Sequence, residues 1–242
     1  MNLQNNTYDT TNQTYKVGDV ASAFIANVFT WMFLALAVTA VTSYFFASSE
    51  SLISSMINLE TGRMNMLGWI VTLSPFAFVM IITFGLQRLS FSTLSFLFIV
   101  FSILMGMSLS FILLVYTASS VFLTFIVTSA TFGVMAFLGY TTKTDLTKFG
   151  SLMMMGLFGI IIASIANFFM HSSTLDYMIS FIGVLVFTGL TAYDVQKLKR
   201  IGNGQVYGSL PKSKLVILGA LNLYLDFINL FLFLLRFLGS RK

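Results

Sequence analysis

The sequence contains no cysteine and little charge, proline or histidine. In 242 residues there are two prolines, one histidine and only 9% charged residues. Without cysteine, disulfides, thiolate catalysis and cysteine-bound metals are excluded. So small a share of charge also excludes a soluble globular protein of this length, since a soluble protein has to cover its core with polar groups.

Apolar residues make up most of the chain. They account for 57% of the sequence and are concentrated in seven segments that approach the roughly 20 residues a helix needs to cross a bilayer. These segments, the first to seventh spans, lie near residues 21–47, 66–87, 92–116, 119–141, 149–170, 175–197 and 215–238. The sequence therefore predicts an integral membrane protein of the all-α class.

The connections between the spans are too short to hold a separate soluble domain. We therefore predict one seven-transmembrane-helix bundle over residues 20–242, with no strands, because lipid requires each spanning segment to satisfy its own backbone groups. Helix seven is expected at the centre, surrounded by the other six, because its polar stripe is flanked by bulky apolar residues. The polar residues 1–19 are predicted to form a disordered cytoplasmic tail.

The net charge of +5 is explained by orientation. With the N-terminus in the cytoplasm and the C-terminus outside, nine Lys and Arg residues face the cytoplasm and four face the other side. The nine are Lys16, Arg88, Lys143, Lys148, Lys197, Lys199, Arg200, Lys212 and Lys214; the four are Arg63, Arg236, Arg241 and Lys242. A nucleic-acid partner is not needed to account for the basic excess.

Two acidic residues fall within predicted spans beyond the first turn. Asp226 lies far from any loop, and Asp194 lies about one turn from the predicted end of the sixth span. An ionisable side chain inside the membrane costs about 2.5–3.5 kcal/mol at a helix centre and by default indicates function. The other six acidic residues, in tails, in loops or, for Asp176, at the very start of a span, are interpreted as solvated charges.

Each of these aspartates belongs to a polar stripe. Along the seventh span the stripe comprises Asn222, Asp226 and Asn229 and continues to Arg236; along the sixth it comprises Thr188, Thr191 and Asp194. Such spacing predicts two polar faces that meet inside the bundle. The alternative is that these side chains only hydrogen-bond helices together, as polar residues often do in membrane bundles.

Depth decides whether the two aspartates can touch. If the seventh span entered the membrane at Leu215, Asp226 would lie about 16 Å deep and Asp194 only about 5 Å deep. If residues 213–220 instead form a cytoplasmic extension of the helix, the two carboxyl groups come level. Arg88, at the end of the second span, ends on the same side. Two carboxyl groups sharing one proton would then hold two helices together, and losing the proton would create a repulsion that Arg88 could relieve.

Three stretches resemble a known family. GYTTKTDLTKFGSL (139–152), TAYDVQKLK (191–199) and LNLYLDFINLFLFLLRFLG (221–239) are similar to the signatures of the transmembrane Bax inhibitor motif family, in its bacterial branch. The resemblance implies a pH-sensitive calcium leak channel gated by an aspartyl dyad at Asp194 and Asp226, with an arginine at Arg88. It also implies residence in the bacterial inner (plasma) membrane.

The resemblance further predicts no enzymatic activity and no cofactor. Calcium is the expected permeant ion, in transient contact with Asp194 and Asp226, and Asn222, Asn229, Thr191, Thr188 and Arg236 are expected to line or support the pathway. Besides the bilayer and calcium, a partner could be another membrane protein. One alternative function is accordingly a membrane adaptor that regulates a membrane protease or a stress pathway without transport. Another is an intramembrane hydrolase, since paired aspartates can activate water, but the motifs of aspartyl intramembrane proteases are absent from the sequence.

Overall fold

The structure, a computed structural model, describes residues 4–58, 61–204 and 210–242, and side chains from residue 20 onward within those ranges. Its elements are α1 (Gln4–Ser48), α2 (Glu50–Ser54), β1 (Ile57–Asn58), β2 (Arg63–Met64), α3 (Met66–Gly85), α4 (Phe91–Val115), α5 (Ala118–Thr141), α6 (Thr147–Met170), α7 (Ser173–Gly202) and α8 (Lys212–Leu238). The sixth and seventh predicted spans correspond to α7 and α8.

The all-α membrane fold predicted from the sequence is confirmed. Within the described residues, seven helices are long and apolar enough to cross a membrane, the first of them over Val20–Ser48. The structure continues α1 back to Gln4. The side chains of residues 1–19 lie outside the described part, so the disordered tail stays a prediction.

The prediction of no strands is wrong for the connection between the first two spans. There β1 and β2 pair antiparallel as a two-stranded hairpin, with Ile57 opposite Met64. The rule behind the prediction applies to backbone in hydrocarbon, where an open strand edge cannot be satisfied. This hairpin lies between two spans, so the rule does not apply to it.

Several helices begin where a polar side chain caps the first turn. The side chains of Asn65, Ser90, Thr117 and Ser172 each accept a hydrogen bond from the backbone N–H three residues later. Such caps satisfy N–H groups that have no partner within the helix. They explain why the short polar joins visible in the sequence set the starts of α3, α4, α5 and α7.

Helix α8 occupies the centre of the bundle, as predicted. In its apolar window 67% of the residues are buried, against 56% in α7 and 6% in α6. Five spanning helices, α1, α3, α4, α5 and α7, pack on α8, whereas α6 packs on α7. The expectation that all six other helices surround α8 is therefore wrong for α6, which is peripheral.

The closest approach of α5 to α7 depends on Gly139. A Cβ atom at this position would lie 2.2 Å from the backbone oxygen of Ala192. We expect Gly139→Ala to lower the stability of the protein by about 1–3 kcal/mol, because backbone and not a flexible side chain would have to move. Gly133→Ala on the same helix is the matched control, since nothing lies within 4 Å of its Cβ position. Thermal unfolding followed by circular dichroism in detergent measures both, and equal midpoints would contradict the expectation.

Candidate functional site

The carboxyl groups of Asp194 on α7 and Asp226 on α8 lie close enough to interact with each other. We call these two residues the aspartate pair. Asp226 is only 6% exposed, and its Oδ2 atom has no hydrogen-bond partner among the described residues. A carboxylate can only accept hydrogen bonds, so the two carboxyl groups can hydrogen-bond to each other only when one of them carries a proton. The geometry is therefore that of a proton-sharing pair.

The two aspartates come level because both helices extend beyond their predicted ends. Helix α7 continues to Gly202 and α8 begins at Lys212, so Asp194 lies about two turns from its helix end. These extensions pack on each other: a Cβ at Gly219 would lie 2.5 Å from Leu198. The helical extension predicted over residues 213–220 is present, and its depth relative to the bilayer stays a prediction.

A small cavity adjoins the aspartate pair between the extended ends of α7 and α8. Its volume is about 20 Å³, and its lining includes Asp194, Lys197 and Asn222 together with apolar side chains. A cavity of this size holds about one water molecule. The positive charge of Lys197 acts on both aspartates, which makes it the cation that the structure places beside the pair.

Arg88 does not join the aspartate pair in this structure. It is exposed in the turn after α3, and within the described residues no ion pair involves it. Close by, the Lys214 Nζ on α8 donates to the backbone oxygen of Leu86 at 3.3 Å. The cation that contacts the end of α3 is therefore Lys214. The role of Arg88 as an alternative partner in another state stays a prediction.

The other residues of the predicted stripes occupy separate places. Thr191 donates to the Phe187 oxygen at 2.8 Å, and the Asn229 amide donates to the Leu225 oxygen at 2.8 Å, each within its own helix. Thr188 is half-buried on α7. These bonds do not tie one helix to another, so the alternative of simple interhelical hydrogen bonding does not describe Thr191 or the Asn229 amide.

Arg236 lies in the last turn of α8, about 15 Å along the helix from Asp226. Its guanidinium forms an ion pair with Asp176, in the first turn of α7, at 3.2 Å, and stacks over the Phe233 ring. The structure thus does not bring Arg236 to the pair. Asp176, interpreted from the sequence as a solvated charge, has a cationic partner.

A polar network that the sequence interpretation missed joins α7 to the α5–α6 connection. We call it the loop clamp; it consists of Gln196, Lys199 and Arg200 of α7 with Tyr140, Thr144, Asp145, Leu146 and Thr147. The Gln196 Oε1 accepts from the Leu146 N–H at 2.8 Å, and its Nε2 donates to the Thr144 oxygen at 2.7 Å. The signal was the presence of both TTKTDLTK and YDVQKLKR, but only the fold shows that they meet.

Asp145 anchors the exposed side of the loop clamp. Its pKa is lowered, first by the hydrogen bond from the Thr147 hydroxyl and then by that from the Arg200 guanidinium. A folded-state pKa below the unfolded value, near 3.9, stabilises the fold above that pH, and the stabilisation is lost as the pH falls through the folded value. The clamp therefore stays charged at neutral pH, unlike a pair that shares a proton.

Comparison with known proteins places these features in a family. The family described as inhibitor of apoptosis-promoting Bax1 matches residues 21–242. The chain belongs to this family. The resemblance drawn from three sequence stretches is therefore confirmed, and the match also includes the first span, which those stretches left out.

Bacterial relatives cover nearly the whole of this Bax inhibitor family chain. It is similar to the inner membrane protein YbhL of Escherichia coli K12, with 44% identity over 220 residues, 90% of this chain and 92% of that protein. A protein of Borreliella burgdorferi is 42% identical over 223 residues, 92% of this chain and 94% of its own length. Protein RP147 of Rickettsia prowazekii is 40% identical over 240 residues, 98% and 97% of the two chains.

The loop clamp of this Bax inhibitor family member depends most on Gln196, which is 6% exposed. We expect Gln196→Leu to lower the free energy of unfolding by about 1–3 kcal/mol, because the Leu146 N–H and the Thr144 carbonyl lose their partner. Gln87→Leu, at an exposed glutamine in the turn after α3, should leave it nearly unchanged. Urea titrations followed by tryptophan fluorescence compare the two variants, and equal losses would show that the clamp adds no stability.

Proposed function

We propose that this Bax inhibitor family protein is a pH-sensitive calcium leak channel and not an enzyme. The observation that carries the proposal is the close approach of the Asp194 and Asp226 carboxyl groups, on the two most buried helices of a membrane bundle. A shared proton stabilises this contact and its loss opposes it. The pair therefore couples the packing of α7 on the central helix to pH.

The surroundings of the pair suit an ion pathway better than hydrolysis. The adjoining cavity, at about 20 Å³, has room for water but not for a peptide strand. Two carboxyl groups also supply at most four oxygens, fewer than the six to eight that hold a resident calcium ion. Calcium would accordingly touch Asp194 and Asp226 only in passing, when the helices separate, and no bound cofactor is needed.

Flux measured with the protein as the sole component tests the proposal. Liposomes containing only this protein and an enclosed calcium indicator should show calcium entry that changes between roughly pH 6 and 8, a range in which an ordinary carboxylate stays ionised. Empty liposomes provide the background. Flux equal to that background at every pH, together with copurification of a membrane protein from cells, would instead favour the adaptor function.

We place the channel in the bacterial inner membrane with its N-terminus in the cytoplasm and its C-terminus outside. The Escherichia coli relative is named an inner membrane protein, which supports this membrane. The nine-to-four distribution of Lys and Arg supports the orientation. A C-terminal alkaline phosphatase fusion should therefore be active, whereas a fusion in the connection between α5 and α6 should be inactive. The reverse pattern of activities would overturn the orientation.

A further inference from the structure

A second and much larger cavity lies between α1, α4, α5 and α8, apart from the aspartate pair. Its volume is about 370 Å³, within the range of sites that bind small apolar ligands. The central helix forms its floor through Phe227, Ile228 and Phe231, and most of its walls are aliphatic or aromatic. At this cavity α8, the most buried helix of the bundle, is not covered by another helix.

The cavity opens sideways, toward the lipid. Helix α5 packs on α7 and α8, whereas α1 packs chiefly on α4, and the cavity lies between these two groups. Tyr44 on α1 and Phe122 on α5 line it and are 71% and 69% exposed. Because these helices span the membrane, what meets the opening is hydrocarbon and not water.

The walls offer little to water. The Thr39 hydroxyl is already engaged, with the Tyr224 hydroxyl at 2.7 Å and the Ser102 oxygen at 2.9 Å. Water in an internal cavity needs two to four polar partners, and apolar cavities stay dry. An apolar chain that fills the cavity gains van der Waals contacts with its walls, which an empty cavity does not provide.

One polar group marks an end of the cavity. Ser43 is 6% exposed and lines the cavity, and among the described side chains its hydroxyl makes no hydrogen bond. It lies five residues before the end of α1, or about 7.5 Å along the helix. Ala118, the first residue of α5, lies at the same end, and Leu36 and Phe227 lie deeper. The cavity thus runs from near the helix ends toward the middle of the bundle, with its free hydroxyl at the shallow end.

We propose that this cavity binds one acyl chain of a bilayer phospholipid, with the ester end of that chain at Ser43 and the methyl end over Ile228. The cavity runs along the helix axes, which is also the direction in which lipid chains run in a leaflet. The Ser43 hydroxyl can donate to an ester carbonyl oxygen. The bound chain would separate α5 from α1 and contact the central helix beside Asp226.

Photocrosslinking tests the site directly. The full protein is reconstituted in vesicles that contain phosphatidylcholine with a diazirine near the end of one acyl chain, and labelled residues are found by mass spectrometry after illumination. We expect label on Ile228 or Phe231, because only a chain inside the cavity reaches these residues of α8. Label confined to outward-facing residues of the peripheral helices would overturn the proposal.

Two alanines supply a matched pair of variants. Ala40 lines the cavity and Ala130 does not, and both are exposed residues of spanning helices. Ala40→Phe should abolish labelling of α8, whereas Ala130→Phe should preserve it; circular dichroism checks that both are folded. Labelling that persists in Ala40→Phe would contradict the site. Labelling of α8 by a free fatty acid carrying the diazirine, but not by the phospholipid, would overturn phospholipid as the ligand.

Discussion

Asp226→Asn is expected to remove most of the pH dependence of calcium flux. The amide retains the shape of the carboxyl and can donate a hydrogen bond to Asp194, so the contact between α7 and α8 survives. The shared proton does not, because Asp194 no longer faces a second titrating group. Removing the second carboxyl removes the like-charge repulsion between the two groups, so we expect Asp194 to be ionised throughout roughly pH 6 to 8. The ratio of the fluxes at these two pH values should therefore approach one.

The measurement is calcium entry into liposomes over a series of pH values, with circular dichroism to show that the variant is folded. Asp176→Asn is the control, because this aspartate pairs with Arg236 in the last turn of α8, away from Asp226, and should leave the wild-type profile in place. If Asp226→Asn retains that profile as well, Asp194 and Asp226 are structural polar contacts and the proposed switch is wrong.

Lys197→Met should move the midpoint of the pH response upward by about one pH unit or more, since an opposite charge within a few ångströms shifts a titration by that amount. Lys197 lines the small cavity with Asp194, and its charge favours the deprotonated pair. Methionine keeps the length of the side chain and removes the charge. The pair then holds its proton to a higher pH.

Arg88→Met is the matched comparison, because the structure places Arg88 in an exposed turn. Loss of a cation that pairs only with the deprotonated state should mainly reduce the amplitude of the response and move its midpoint upward less than Lys197→Met does. A larger midpoint shift for Arg88→Met than for Lys197→Met would show that the cation beside the pair in the titrating protein is Arg88.

Local chemistry in the sequence was enough to predict much of the fold. Long apolar segments predicted the seven spans, since only a helix satisfies its backbone in lipid, and the polar joins predicted where they connect. The hairpin at Ile57–Met64 was missed because its strands are two residues each, too short for an alternating pattern to appear.

For the candidate site, the sequence identified Asp194 and Asp226, because a carboxylate within an apolar run is conspicuous without any fold. It did not identify Lys197 as a cation beside them. Arg88 and Lys197 have equal standing as basic residues near span ends, and only the packing of α7 on α8 brings Lys197 to the pair and leaves Arg88 in a turn. The loop clamp was hidden for the same reason: Asp145 and Arg200 are 55 residues apart in the chain.

The sequence by itself thus determined that the chain is a seven-span membrane bundle with two aspartates in its apolar segments, because those properties depend on composition and local spacing. The tertiary structure decided which helices touch, how far α7 and α8 extend past their apolar runs, and where the lateral cavity lies. Those features depend on close contact between residues that are distant in the chain. Gly219 of α8 and Leu198 of α7 are an example, since a Cβ at Gly219 would lie 2.5 Å from the Leu198 side chain. The apolar side chains that allow such contacts look alike along the chain, since lipid-facing and core-facing residues of a spanning helix are both hydrophobic.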